Sequence, residues 1–190
     1  MNEFKNQVIE LLLSEHSKVC RDKVADIIGG DPDKFAIAWE IFCSEEPPLP
    51  QRMAWSLDVL FERHPSHAAR YAATIVDRIP FMKHPAELRM ATKVLARTPI
   101  RPDLIIQLLD PMLGFLMDPQ VPIAIRAYAM TLLYEISQIE KELKFELRLV
   151  IEEQMDEGSA GIRSRGKKIL KKLNAEIKHF EMTDEWAATK

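Results

Sequence analysis

Apolar residues in this chain recur three and four positions apart, in stretches of 12 to 20 residues, and almost never strictly alternate with polar ones. The opening stretch, NEFKNQVIELLLSEH, sets Phe4, Val8, Leu11 and Leu12 on one side of a helix. No Asn-Gly or Asp-Gly pair separates two β-branched runs, so no β-sheet is expected. Proline and glycine cut the helical pattern at Gly29-Gly30-Asp31-Pro32, Pro47-Pro48-Leu49-Pro50, Pro65, Pro80, Pro85, Pro99, Pro102, Pro119, Pro122 and Gly158. Each breaker sets a turn or a first helical turn, where a missing amide costs little. The spacing predicts about ten short helices in pairs: 3–13 with 16–28, 33–44 with 49–63, 67–79 with 85–97, 103–117 with 121–137, and 141–156 with 159–179. Residues 1–180 then form one repeat domain, and 181–190 a loose tail.

The pairs are related. Arg52, Arg89, Arg126 and Arg163 recur at intervals of 37 residues, and the sequence around them aligns without gaps: PLPQRMAWSLDVLF, PAELRMATKVLART, PIAIRAYAMTLLYE, SAGIRSRGKKILKK. Three positions on come Trp55, Thr92, Ala129 and Gly166; seven positions on come Val59, Ala96, Leu133 and Leu170. Offsets of three and seven share a helix face, so these read as core positions with the arginine at their edge. A weaker copy, VCRDKVADIIGG, sets Arg21 ahead of Val24 and Ile28.

These copies resemble HEAT repeats. In residues 104–136 an apolar helix carries Pro111, closes at Asp118, and is followed by a second helix opening at Ile125-Arg126. Ile162-Arg163 and Leu88-Arg89 follow the same pattern, whereas Gln51-Arg52 and the large Trp55 depart from it. The resemblance implies an all-α, right-handed α-α superhelix of five helix pairs (a HEAT/ARM-like solenoid), with second helices lining a concave side. The segments RMAWSLDVLFERHP and RSRGKKILKKL also resemble a bacterial family of HEAT-like proteins of about this length. Some members carry the label adenylosuccinate lyase, but the Met-Pro-x-Lys-x-Asn signature of that enzyme is absent here.

Composition narrows the function. The chain has 190 residues, is 47% hydrophobic and 29% charged, and carries a net charge of -3, which argues against wholesale nucleic-acid or membrane binding. The charge is uneven: residues 158–190 hold eight Lys/Arg against four Asp/Glu. Cys20 and Cys43 have no CxxC or CxxH company and suit reduced thiols in a cytoplasmic protein. No window approaches a membrane span, and the N-terminus does not read as a signal peptide.

Candidate chemistry is sparse. No GxSxG, P-loop, GxGxxG or Cys/His zinc framework occurs, so no catalytic residue, cofactor or metal is expected. Glu62, His64, His67 and His84 lie close in sequence, but the two histidines of His-Pro-Ser-His straddle a proline turn and lack helical zinc spacing. The arginine row Arg52, Arg89, Arg126 and Arg163 reads as structural, each guanidinium pairing with Glu46, Glu87, Asp118 and Asp156 or Glu157. The basic cluster Arg163, Arg165, Lys167, Lys168, Lys171, Lys172 and Lys178 reads as the solvated face of a terminal cap. The expected function is a non-catalytic scaffold presenting its second-helix surface to a protein, with Arg52, Ser56, Lys93, Arg97, Met130, Tyr134, Lys167 and Lys171 exposed there. The rival is DNA binding, on a resemblance to HEAT-like alkylpurine DNA glycosylases, with Asp58 one turn after Trp55 as the acid.

Overall fold

The structure, a computed structural model, describes residues 2–156 and 158–182. Glu157 and residues 183–190 of the expected 181–190 tail lie outside the described residues, whereas Glu181 and Met182 continue the last helix and are no part of a tail. The elements are α1 (Asn2–Ser14), α2 (Lys18–Ile28), α3 (Pro32–Phe42), α4 (Leu49–Arg63), α5 (Pro65–Arg78), α6 (Pro85–Leu95), α7 (Ile105–Met117), α8 (Ile123–Ile139), α9 (Leu143–Asp156) and α10 (Ala160–Met182), with 3-10 turns at Ile79–Phe81 and Pro102–Leu104. Local chemistry sets the boundaries. Ser17 accepts the Cys20 N–H ahead of α2, and Asp31 accepts from Asp33 and Lys34 ahead of α3, where Pro32 occupies the first turn. Gly29 ends α2 at φ +58°, a left-handed value that glycine takes without strain. Among the described residues no helix is long and apolar enough to cross a membrane.

The chain divides into two compact units, Met1–Pro99 and Ile100–Lys190. The first holds three helix pairs, with α4 packed on α2, α3 and α6. It buries Met53, Ala54, Leu57, Leu60 and Phe61. Phe35 anchors an aromatic cluster, edge-on to Phe61 at 5.1 Å and stacked on His67 at 4.3 Å. His67 Nε2 lies 3.1 Å from the Gly30 carbonyl, which makes His67 a satisfied core histidine. Bonds between successive pairs join residues 35 apart: Lys5 to Glu40, Arg78 to the Cys43 carbonyl, Lys93 to Asp58 and Arg97 to Glu62. Cys20 is buried and donates to the Leu11 carbonyl. Cys43 is half-buried, and burial pushes its thiol up, against the opposing pull of Arg78.

In the second unit α8 is enclosed by α7, α9 and α10 and buries Ile125, Ala129, Leu132, Leu133 and Ile136 completely or nearly so. Pro111 sits inside α7, as the repeat pattern requires. Gly166 brings α10 close to α9: a β-carbon there would lie 2.5 Å from Met155 Sδ and 3.2 Å from Ile151 Cγ2. Ile162, Ile169, Leu173 and Ile177 form the buried side of α10.

Equal spacing of the four arginines does not give them equal surroundings. Arg126 is buried, 8% exposed; Arg52 is half-buried; Arg89 and Arg163 are exposed. In α4 and α6 the two residues after the arginine are buried (Met53-Ala54 and Met90-Ala91), whereas in α8 and α10 the residue before it is buried (Ile125 and Ile162). The helices of the two units therefore present differently rotated faces to their cores. Of the offset positions, Thr92, Ala129, Gly166 and Leu133 are buried, but Trp55, Val59, Ala96 and Leu170 are only half-buried.

Acid pairing of the row is also corrected. Arg52 Nη1 donates to the Leu12 carbonyl at 2.6 Å, in the last turn of α1. Arg126 donates through Nε to the Leu116 carbonyl at 3.1 Å, in the last turn of α7, and through Nη2 to Gln154 at 2.8 Å. Lys34 on Ile27 and Arg78 on Cys43 repeat the arrangement at the ends of α2 and α3. A helix end leaves carbonyls without intrahelical partners and carries partial negative charge, so a cation from a neighbouring helix satisfies both.

Candidate functional site

The second helices of the first unit, α2, α4 and α6, hold most of the residues that the sequence pointed to. Arg52, Lys93 and Arg97 lie on α4 and α6 or at their ends, and Trp55 is half-buried on α4. Three expected surface residues are not on a surface. Ser56 and Met130 are 0% exposed and Tyr134 is 8% exposed. The small Ser56 side chain sits against α2 and donates to the Arg21 carbonyl at 3.4 Å. Met130 and Tyr134 belong to α8, whose neighbours on three sides leave little of it bare.

The C-terminal half of the α4–α6 face is electrically self-satisfied. Lys93 Nζ lies 2.7 and 2.8 Å from the two Asp58 oxygens, with both side chains about five-sixths buried. Glu62 takes Arg97 at 3.1 Å and lies 3.8 Å from Lys93. These four side chains line a cavity of about 200 Å³ floored by Phe61, Ala68 and Val94. Its two carboxylates and two cations cancel, and Asp58 is engaged as the partner of an ammonium.

The N-terminal half differs. A cavity of about 470 Å³ is lined by His16, Pro48, Gln51, Arg52, Trp55, His84, Ala86 and Arg89, with no carboxylate among them. Trp55 forms one side, held by the Arg21 guanidinium 5.1 Å from its ring centroid and by His16 edge-on at 5.2 Å. His84 Nδ1 accepts the Ala86 N–H at 3.1 Å, which caps α6 and leaves Nε2 available to the cavity. Arg89 is exposed and has no carboxylate partner among the described residues. In the sequence His84 stands out only as a possible metal ligand and Arg89 only as a rung of the row; the fold puts both in one cavity with Trp55. Their signal was position, since each falls in the first two turns of a second helix, or just ahead of it.

In the second unit Tyr134 donates to Glu176 at 2.6 Å, Lys144 approaches Glu176 at 2.9 Å, and the Lys172 ammonium lies 4.8 Å from the Tyr134 ring centroid. Tyr134 is pushed well above the ordinary tyrosine range by burial and by its bond to the Glu176 carboxylate. Burial works to raise Glu176, but bonds from Tyr134, Lys144 and Gln138 outweigh it and hold the carboxyl below its usual range. This cluster ties α10 to α8 and α9. Lys167 and Lys171 stand exposed on α10. Among the described residues no three His, Cys, Asp or Glu side chains are grouped to hold a metal ion.

No curated protein and no solved structure gives a significant match to this chain. The family profile of the HEAT repeat domain matches residues 8–173, across all ten helices. With that span, the helix pairs and Pro111 inside the first helix of the fourth pair, the chain belongs to the HEAT repeat domain family.

Proposed function

We propose that this HEAT-repeat chain is a non-catalytic, cytoplasmic protein-interaction scaffold, and that the second-helix face of its first unit, α2, α4 and α6, receives the partner. The observation that carries the reading is the pairing of charges across that face: Asp58 with Lys93, and Glu62 with Arg97. Phosphate binding needs cations free to replace counterions along a continuous track. Here two cations of the face, Lys93 and Arg97, are already neutralised by carboxylates. A mixed, internally paired face suits a folded or extended protein segment, which offers both signs of charge at short intervals.

The DNA reading needs Asp58 as a free acid. Its ion pair with Lys93 opposes that role, because the carboxylate would have to give up a largely buried partner before acting on a substrate. Fluorescence anisotropy with labelled duplex DNA at low and moderate salt tests the proposal. The scaffold reading predicts no binding in the micromolar range. Micromolar binding that weakens steeply with salt would overturn it, and excision of an alkylated base lost in Asp58→Asn would establish an enzyme instead.

A further inference from the structure

We infer that the cavity walled by Trp55, Arg52, Arg89, His16 and His84 is a reading pocket for an extended acidic segment of a protein partner, a carboxylate-bearing side chain seating between the arginines beside the indole. The inference rests on the scaffold reading and specifies its partner.

Three observations lead to it. The lining holds two guanidiniums and two imidazoles against no carboxylate, in a first unit whose neighbouring cavity balances two cations with two acids. Arg89 is a cation without a carboxylate partner among the described residues, and Arg52 meets only the Leu12 carbonyl and the partial charge of the end of α1, so neither guanidinium is paired with an acid. Arg52 is thereby preorganised, since its bond to Leu12 fixes the side chain before any ligand arrives. The first turn of α4 borders the cavity through Gln51 and Arg52 and that of α6 through Ala86, and their positive ends add to the same field.

The shape selects a peptide. Gln51 and His84 also line a second cavity of about 500 Å³, where Phe81, Arg78 and Lys83 stand with the carboxylates of Glu45 and Glu87. Phe81 is 63% exposed there, with the Arg78 guanidinium 5.7 Å from its ring centroid. A chain running past Gln51 and His84 meets cations and Trp55 first, then an exposed aromatic among charges of both signs, contacts that suit a segment with acids at one end and apolar residues after them. A nucleic-acid backbone, negative along its whole length, would meet carboxylates on either side of the pocket: Glu45 and Glu87 in one direction, Asp58 and Glu62 in the other. Arg–carboxylate contacts are directional and often bidentate, which gives the pocket selectivity for carboxylate over a neutral amide of the same size.

The test uses the full chain and a fluorescein-labelled 12-residue peptide of Glu, Asp, Leu and Phe, with a control in which Gln and Asn replace the acids. Anisotropy should show binding of the acidic peptide that weakens at least about ten-fold in the control, in Arg89→Glu and in Trp55→Ala, and not in Lys171→Glu. Arg89 is exposed, so Arg89→Glu should fold as the parent does; circular dichroism is the check on the fold of both variants. Equal binding of acidic and neutral peptides, indifference to Arg89→Glu, no binding of the acidic peptide, or stronger binding of a 12-nucleotide single strand would each overturn the inference. A photo-crosslinker at position 97, on the same face but in the neighbouring cavity, separates this failure from failure of the scaffold reading. A protein conjugate from position 97 with no acidic-peptide binding removes the pocket assignment and leaves the scaffold; neither result removes both.

Discussion

The Arg126 guanidinium donates to the Leu116 carbonyl oxygen at 3.1 Å, so a buried cation in an apolar helix closes the end of the helix before it. Gln154 takes a second donor at 2.8 Å, and no carboxylate is needed. Removing the guanidinium strands a buried carbonyl, at a cost of about 1–3 kcal/mol. Arg126→Met is therefore expected to lower the melting temperature by several degrees, with the fold retained. Arg163→Met, at an exposed site with the same repeat number, should leave it nearly unchanged. Thermal unfolding of the two variants side by side checks the contrast; equal effects would mean that the repeat position matters more than the helix-end contact.

Two glycines on helices should respond to alanine with opposite sign. At Gly166 the new methyl meets Met155 Sδ at 2.5 Å, and overpacking of this kind costs about 1–3 kcal/mol. At Gly114, inside α7, nothing lies within 4 Å, and alanine gains about 0.5–1 kcal/mol of helix propensity. Denaturant midpoints should fall for Gly166→Ala and rise for Gly114→Ala. Met155→Ala in the Gly166→Ala background should recover part of the loss.

The helix pairs were legible because proline and glycine punctuate a clear 3.6-residue period, and the register was legible because the arginine repeats. The surroundings of each arginine were not. Met53-Ala54 and Ile125 show that the buried face is rotated between α4 and α8, and rotation depends on which neighbours enclose a helix. Backbone carbonyls such as those of Leu12 and Leu116 carry no side-chain signature, so the sequence points to acids as partners where the fold supplies carbonyls. Met130 and Tyr134 were expected on the surface because the sequence does not reveal that α8 is enclosed on three sides. In the candidate site Arg52 and Trp55 were already marked, while His16, His84 and Arg89 join them only through folding.

Acid should loosen the last helix first. The Glu176 carboxyl is depressed in the folded chain below its ordinary value of 4.5, despite burial, by bonds from Tyr134, Lys144 and Gln138. A depressed folded value means that the stabilisation is fully present above the unfolded value and is lost as pH falls through the folded one. Stability measured from pH 6 downward should start to fall below about pH 4.5. Tyr134→Phe removes one of the bonds, so the Glu176 carbon resonance should titrate at higher pH in that variant. An unchanged titration would remove Tyr134 as a cause of the depression.

The Asp58–Lys93 pair joins successive repeats at 2.7 Å, with both groups largely shielded from solvent. A double-mutant cycle with Asp58→Asn and Lys93→Met should give a coupling of about 1 kcal/mol or more, above the range of fully exposed pairs. A coupling near zero would free Asp58 for another role and weaken the self-paired description of this face.

The account turns on where a partner touches the first unit. A photo-crosslinking residue is placed at position 51, which lines the cavity and leaves both arginines in place, with a control at position 171 on α10. The full chain is exposed to its native lysate, and mass spectrometry maps the conjugates. Position 51 should join one protein through a single segment, Trp55→Ala should abolish the conjugate, and position 171 should not form it. Conjugates from position 171 instead, conjugates to nucleic acid, or none from position 51 would contradict the proposed partner surface.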